Sequence, residues 1–384
     1  MPLRVLSIHW GFSLGGVGKY AALINGVTRY APIEIKTLCI ISESWQTDRA
    51  TLGRLGAKEI KIKSRADISW LWRIAREIDL YKPDLLMTHG FNGHFVVIAT
   101  QIFGRKRIPM ICSYHGKYHA TTPVRLLLAP AFNALTELFI RNYAISIVAV
   151  AEHTKNYLIE QGTDEKKITV IHNGIEEKIP DACARDRIRI EWEIEKNELV
   201  IGAASRLDPV KGISYLVDAF AQISRRLPEL KLVIIGTGTL DNALRKQVQE
   251  KGIKERVIFT GFRTDIDDCL VAVDIFTVPS LAEYHSFALL EAMRAGKAII
   301  ATDVGGNRES VRHEEHALIV PARDTKSLAL AIERLARSAS LRQALGLAAQ
   351  ERFKQNFTVD EMVGRTAEWL IECGRLAKAN SVAF

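Results

Sequence analysis

Apolar residues fall in short runs along the chain, spaced as in a wound parallel sheet. Residues 3–9, 35–41, 59–62, 85–89, 110–115 and 146–150 form such runs, as strands covered on both faces do. Between them, residues 17–30, 69–81 and 123–143 read as helices. A second series opens near Leu199 and continues through 231–235, 257–260, 275–278, 298–302 and 317–320. Residues 173–198 replace apolar periodicity with mixed charge, which predicts a linker. After Pro321 the sequence reads as mostly helical, with a break at Phe357-Thr358-Val359 before a last helix over about 360–378. The pattern predicts an α/β protein of two Rossmann-like, doubly wound parallel sheets facing a cleft: residues 1–172 and 199–359.

Length and composition agree with two cores: 384 residues, 48% hydrophobic and 25% charged. The formal charge of +8 is uneven. Residues 1–170 hold 22 Lys and Arg against 13 Asp and Glu, and the remainder 30 against 31. Lys58, Lys61, Lys63, Arg65, Arg73 and Arg76 form one basic group, and Arg105-Lys106-Arg107 another. Such a surface attracts anions. No aromatic-and-basic recognition module accompanies it, so nucleic acid is not the expected partner. An anionic phospholipid surface, or a lipid diphosphate-linked acceptor, is expected instead; a solvated basic face is the plainer alternative. The helix over 124–143 is apolar nearly all round, so it suits either a buried core position or the membrane interface. Pro130 and Glu137 break its stripe and favour the core. No run reaches the roughly 18 apolar residues of a spanning helix, and the N-terminus enters a strand without a signal-peptide layout. A cytoplasmic protein is expected, with possible peripheral contact at the inner face of the plasma membrane. Five cysteines without a close pair read as reduced thiols. The spacings His89/His94 and His115/His119 make poor metal sites, so no metal is expected.

The richest stretch is Pro279 to Gly306, PSLAEYHSFALLEAMRAGKAIIATDVGG. Glu283 falls in a loop and Glu291 in the following helix, with seven residues between them. A helix N-terminus would point free N–H groups between the two carboxylates. An elongated ligand with an anionic centre and hydroxyls at both ends suits that layout, as a nucleotide sugar does. Arg206 and Lys211 follow a strand and flank a loop, where open sheets bind ligands. Gly15, Gly16 and Gly18 occupy the first strand-to-helix turn, where absent side chains let backbone N–H groups approach an anion. Tyr20 after Gly18-Lys19 rules against a phosphate loop of the ATPase type.

These segments, with Thr88-His89, Tyr114-His115-Gly116, Val170-Ile171-His172-Asn173-Gly174 and Ser205-Arg206-Leu207, resemble in order the retaining GT-B glycosyltransferases with two spaced glutamates, of the group 1 and family 4 type. The resemblance covers nearly the whole chain. It implies a nucleoside-diphosphate sugar (UDP, GDP or ADP) as donor, no further cofactor, and a glycan or lipid-linked acceptor held by the N-terminal domain. It implies that Arg206 and Lys211 hold the leaving diphosphate, that Glu291 binds the ribose, and that Glu283 and His115 face the sugar. Gly15, Gly16 and Gly18, and the start of the helix at Ser286, Phe287 and Ala288, would give main-chain N–H groups, with Gly236, Gly238, Phe262 and Arg263 near the base. The final helix, 360–384, is expected to return to the N-terminal domain. The loop Glu283-Tyr284-His285-Ser286-Phe287 lacks the family's usual glycine, so the Tyr284 ring is expected to stack on a sugar face and His285 or Ser286 to bond its hydroxyls. A nucleotide-sugar epimerase or a silent sugar-binding subunit on the same fold fits the same motifs.

Overall fold

The computed structural model describes the chain except residues 12–14, 43–48, 65–66, 90–107, 118–122, 180, 182 and 383–384. Arg65, the Arg105-Lys106-Arg107 group, His94 and His119 lie outside the described residues. The chain divides into two compact units, Met1–Asn173 with Val359–Phe384, and Gly174–Thr358.

The first unit is built on β1 (Leu3–Trp10), β2 (Ile33–Ser42), β3 (Lys58–Ile62), β4 (Leu85–His89), β5 (Met110–Tyr114), β6 (Ala144–Ala149) and β7 (Ile168–Val170). All pair in parallel in the order β3-β2-β1-β4-β5-β6-β7. Strands β4 and β5 are buried at every position. Helix Val359–Val382 belongs to this unit. Val363, Leu370 and Cys373 on it are buried, and Trp369 donates its indole N–H to Ser146 Oγ at 2.8 Å.

The second unit contains β8 (Leu199–Ala204), β9 (Leu230–Ile235), β10 (Val257–Gly261), β11 (Ile275–Val278), β12 (Ala298–Thr302) and β13 (Leu318–Val320). They form a parallel sheet in the order β10-β9-β8-β11-β12-β13. Each sheet winds outward in both directions from one junction: β1 beside β4, and β8 beside β11. Loops leaving the carboxyl ends of those strands flank the crevice where such sheets bind ligands.

Residues 174–198, expected as a linker, instead pack into the second unit. Helix Ala184–Glu191 lies within them, and Ile175, Ile188, Trp192 and Ile194 join that unit's core. The misleading charge is explained by Arg189, which is buried. Its guanidinium donates to Ala272 O, Glu195 O, Glu198 O and Asp274 Oδ2, so the cation is fully employed inside.

Helix Pro123–Tyr143 departs from the core expectation as well. Ala129, Thr136, Glu137 and Ile140 face inward, while Leu127, Leu128, Phe132, Leu135, Leu138 and Tyr143 are exposed. The acidic residue that interrupts the stripe is the inward one: the Tyr114 and Tyr157 hydroxyls donate to Glu137 Oε1, which supplies the partners a buried carboxylate requires.

Candidate functional site

In the second unit the loops after β8 and β11 are joined through their backbones. Leu281 N donates to Val210 O at 2.7 Å. Gly212, with φ +64°, packs so closely that a Cβ would lie 2.0 Å from Pro279 O, so only glycine fits. This junction sets Lys211 beside Glu283. Lys211 Nζ is 2.6 Å from Glu283 Oε1, which also accepts from Ser280 Oγ at 2.6 Å. Both side chains are largely buried. Glu283 is also tied by its carbonyl, which accepts from Gly306 N at 3.4 Å.

Arg206 stands on the same loop and remains mostly exposed, with NH1 2.7 Å from Asp208 Oδ2. Buried Asp208 also accepts from Thr239 Oγ1 at 3.3 Å. The loop after β9 meets this one edge to edge: a Cβ on Gly236 (φ +129°) would fall 1.9 Å from Ser205 O, and one on Gly238 2.5 Å from Leu207 N. Gly236 N in turn donates to Gly261 O at 2.8 Å, which brings the end of β10 and the exposed Phe262 to the same edge. Arg263 follows, but its guanidinium is taken by Asp265 and Glu191. Those carboxylates hold its pKa above the usual arginine range.

Helix Phe287–Arg294 begins four residues after Glu283. Ser286 is its N-cap, with Oγ accepting from Leu289 N at 3.4 Å. Phe287 and Ala288 form its first turn, and Glu291 is buried one turn on. The loop residues expected to touch a sugar divide. His285 is buried, its Nε2 3.3 Å from Ser310 Oγ and its ring 5.4 Å from that of Phe357. Ser286 spends its hydroxyl oxygen on the cap. Tyr284 is half-buried in the same loop.

In the first unit, helix Gly16–Leu23 begins with Gly15 at the N-cap in extended backbone, φ −77°. Gly15 O accepts from Lys19 N at 3.0 Å, Gly16 is exposed and Gly18 buried. His115 follows β5, and its Nε2 is 2.9 Å from Ser113 Oγ. The Tyr20 ring lies edge-on to it at 4.6 Å. Burial lowers the His115 pKa, although the residue as a whole is only half-buried. The pKa of buried His9 is likewise lowered, to about 3, by desolvation and then by His115. His9, Ser7 and Ser113 were not among the residues singled out from sequence.

Against the expectation that the chain holds no Asp-x-Asp arrangement, Asp265-Ile266-Asp267 is one. Its carboxylates are held apart by different cations: Asp265 by Arg263, and Asp267 by Arg294 and Lys178. Among the described residues no group of three or more His, Cys, Asp or Glu is placed to hold a metal ion. No helix among them is long and apolar enough to cross a membrane.

Comparison with known proteins finds two family patterns. Residues 184–352 match "Glycosyl transferases group 1", and residues 53–178 match "Glycosyltransferase Family 4". The N-acetyl-alpha-D-glucosaminyl L-malate synthase of Bacillus anthracis is 26% identical over 302 residues, 78% of this chain and 77% of that one. A lipopolysaccharide core biosynthesis glycosyltransferase, LpsD of Rhizobium meliloti, is 23% identical over 93% of this chain and 94% of its own. The crystal structure of Anabaena HepE in complex with UDP-glucose superposes with a TM-score of 0.83 at 20% identity, covering 96% of this chain and all of that one. At that identity the likeness establishes the shared fold.

Proposed function

We propose that the chain, whose two parts match the group 1 and family 4 glycosyltransferase patterns and which shares the GT-B fold, moves a sugar from a nucleoside-diphosphate sugar to a glycan or lipid-linked acceptor of bacterial envelope polysaccharide, with retention of configuration. The observation that carries this reading is the Lys211–Glu283 pair at the β8/β11 junction, directly ahead of a capped helix N-terminus. A cation, a helix N-terminus and a buried carboxylate one turn into the helix match diphosphate and ribose in sequence. UDP-glucose is the first donor to test, since HepE, a fold neighbour, is described with it.

In this reading Arg206, Lys211 and the N–H groups of the first turn at Phe287 and Ala288 stabilise the charge that grows on the departing diphosphate, aided by those of Gly15, Gly16 and Gly18. Glu291 accepts from the ribose hydroxyls. Gly236, Gly238, Phe262 and the main chain of Arg263 meet the base. Glu283 Oε1 already accepts two hydrogen bonds, which suits a carboxylate that orients Lys211 and the sugar rather than one that attacks carbon. Transfer is then a front-side displacement. The acceptor oxygen forms its bond to the anomeric carbon on the face from which the diphosphate oxygen leaves, and the acceptor proton passes to that diphosphate. His115 bonds a sugar hydroxyl.

The test is a thermal-shift screen of UDP, GDP, ADP and their sugars, with and without EDTA, on wild type and Glu291→Ala, followed by NMR of the anomeric proton of the product. A ligand at 100 times its Kd stabilises by about 2.7 kcal/mol. A selective shift, insensitive to EDTA and lost in the variant, with a product of unchanged anomeric configuration, is expected. Inverted product would overturn retention, and donor turnover without acceptor would point to an epimerase.

A membrane-surface role is supported by the exposed Leu127, Leu128, Phe132, Leu135 and Leu138 of one first-unit helix, and by exposed Trp72 on another that also carries exposed Arg73 and Arg76. Co-sedimentation with phosphatidylglycerol vesicles, weakened in Leu135→Asp and absent with phosphatidylcholine, is the expected result. A protein left in the supernatant with both lipids would remove this role.

A further inference from the structure

Three histidines and two serines form one continuous hydrogen-bonded chain across the carboxyl ends of β1, β4 and β5. His9 Nε2 is 2.9 Å from Ser7 Oγ, and Ser7 Oγ is 3.0 Å from His89 Nε2. On its other side His89 Nδ1 is 2.6 Å from Ser113 Oγ, which is 2.9 Å from His115 Nε2. The strand register produces the chain. Ser7 and His9 share one face of β1, as residues two apart do, and His89 pairs directly with Ser113. The His9 and His89 rings stack at 4.5 Å with an interplanar angle of 5°.

Each serine oxygen is bonded to two rings, and a serine has one proton to give. If Ser113 donates to His115, it must accept from His89; if it donates to His89, it must accept from His115. A neutral His89 has one N–H, so the choice at Ser113 decides the choice at Ser7. Only two arrangements satisfy every member. In one, protons sit on His9 Nε2, His89 Nδ1 and His115 Nδ1. In the other, they sit on His9 Nδ1, His89 Nε2 and His115 Nε2.

We propose that Ser113, His89, Ser7 and His9 are positioning residues that act as one directional chain to set which ring nitrogen of His115 carries its proton. His115 Nδ1, the nitrogen pointing away from the chain, is thereby a donor in the first arrangement and an acceptor in the second, and the five residues change over together. The lowered pKa of His9 and His115 fits this, because a doubly protonated ring would break the single direction. The consequence for transfer rests on the role of His115 toward the sugar given above; the coupling itself does not.

The experiment is long-range ¹H–¹⁵N NMR of the full chain labelled with [¹⁵N]histidine at pH 7, on wild type, Ser7→Ala, Ser7→Thr and Ser113→Ala, with donor KM and kcat for each. Wild type is expected to show single tautomers in one of the two permitted patterns. Ser7→Ala, three members away from His115, is expected to give a mixed or reversed His115 tautomer and a kcat lowered about tenfold with KM little changed, and Ser7→Thr to restore both. Should Ser7→Ala fail to fold, Ser113→Ala reads the same coupling. Any wild-type pattern outside the two, or a His115 tautomer indifferent to both alanine variants, overturns the proposal. If the tautomers move as stated and yet His115→Ala transfers normally, the chain stands and the assignment of His115 to the sugar falls.

Discussion

Lys211 Nζ lies 2.6 Å from Glu283 Oε1, a contact between two loops that leave neighbouring strands of the second sheet. Neither loop holds its charged residue alone. Lys211 sits at the end of a short 3-10 turn closed by Gly212, and Glu283 is fixed by Ser280 Oγ and Gly306 N. Lys211→Ala and Arg206→Ala are each expected to lower kcat by about 10²-fold, the scale for losing one charge-stabilising donor. Glu283→Gln leaves a largely buried ammonium with a weaker partner, so the Lys211→Ala/Glu283→Gln double variant should lose much less than the product of the single losses. Strictly multiplicative losses would mean that the pair does not act as a unit.

Gly236 has a more local role. Its φ of +129° is barred to alanine, and a Cβ there would sit 1.9 Å from the carbonyl oxygen of Ser205. Gly252 also has positive φ, +68°, but nothing lies within 4 Å of its would-be Cβ. Gly236→Ala should therefore cost about 2–4 kcal/mol and weaken donor binding, whereas Gly252→Ala should show backbone strain alone, roughly 1 kcal/mol. Urea unfolding and donor titration of both variants distinguish overlap from strain. Equal losses would show that the loops after β8 and β9 separate easily.

Arg189→Met tests whether residues 174–198 are part of the second unit's stability. The side chain removed gives hydrogen bonds to three carbonyls and to Asp274. Methionine refills much of the volume but leaves those acceptors without their donor. A loss of about 3 kcal/mol is expected, the lower end for breaking a buried pair, because Arg185 and Val200 N still reach Asp274. A truncation-tolerant segment, or a variant as stable as wild type, would restore the linker reading.

The same residue shows where the sequence was legible and where it was not. Buried parallel strands announce themselves through uninterrupted apolar runs, and twelve of the thirteen described strands begin within or near such runs; β7, three residues long with Thr169 exposed, lies in none of them. The segment from Pro279 to Gly306 carried its loop, cap and helix in residue order. Arg189 did not look like a core residue, because a buried cation is recognisable only from the carbonyls that surround it. Glu137 misled in the opposite sense: it was read as the polar break in a core helix, yet it faces inward and the leucines face out. The histidine chain left a faint trace, the repeated Ser-x-His of Ser7-Ile8-His9 and Ser113-Tyr114-His115. Only the register of β1, β4 and β5 turns that repetition into contact.

Acid should weaken the first unit through His9 before its carboxylates titrate. The folded-state pKa of His9 is about 3, lowered by burial, against an ordinary 6.5 when unfolded. Between those values the unfolded chain binds a proton that the folded chain does not, so stability falls as pH falls through that window, by about 1.4 kcal/mol per pH unit for each such histidine. His115 is shifted in the same direction. Depressed carboxylates such as Asp67, lowered to about 2 by hydrogen bonds, lose their contribution only below about pH 4, which leaves the range from pH 6.5 to 4.5 to the histidines. Among the described residues the groups against His9 include the His89 and His115 rings, Ser7 and, beside those rings, Tyr20. His9→Gln removes one titrating ring while keeping a polar side chain. The slope of unfolding free energy against pH over that range, measured by urea titration, should be shallower in the variant by about the amount for one histidine. An unchanged slope would mean that His9 takes up its proton without unfolding the strands around it, and with it the closed, neutral environment described for β1, β4 and β5 would have to be abandoned.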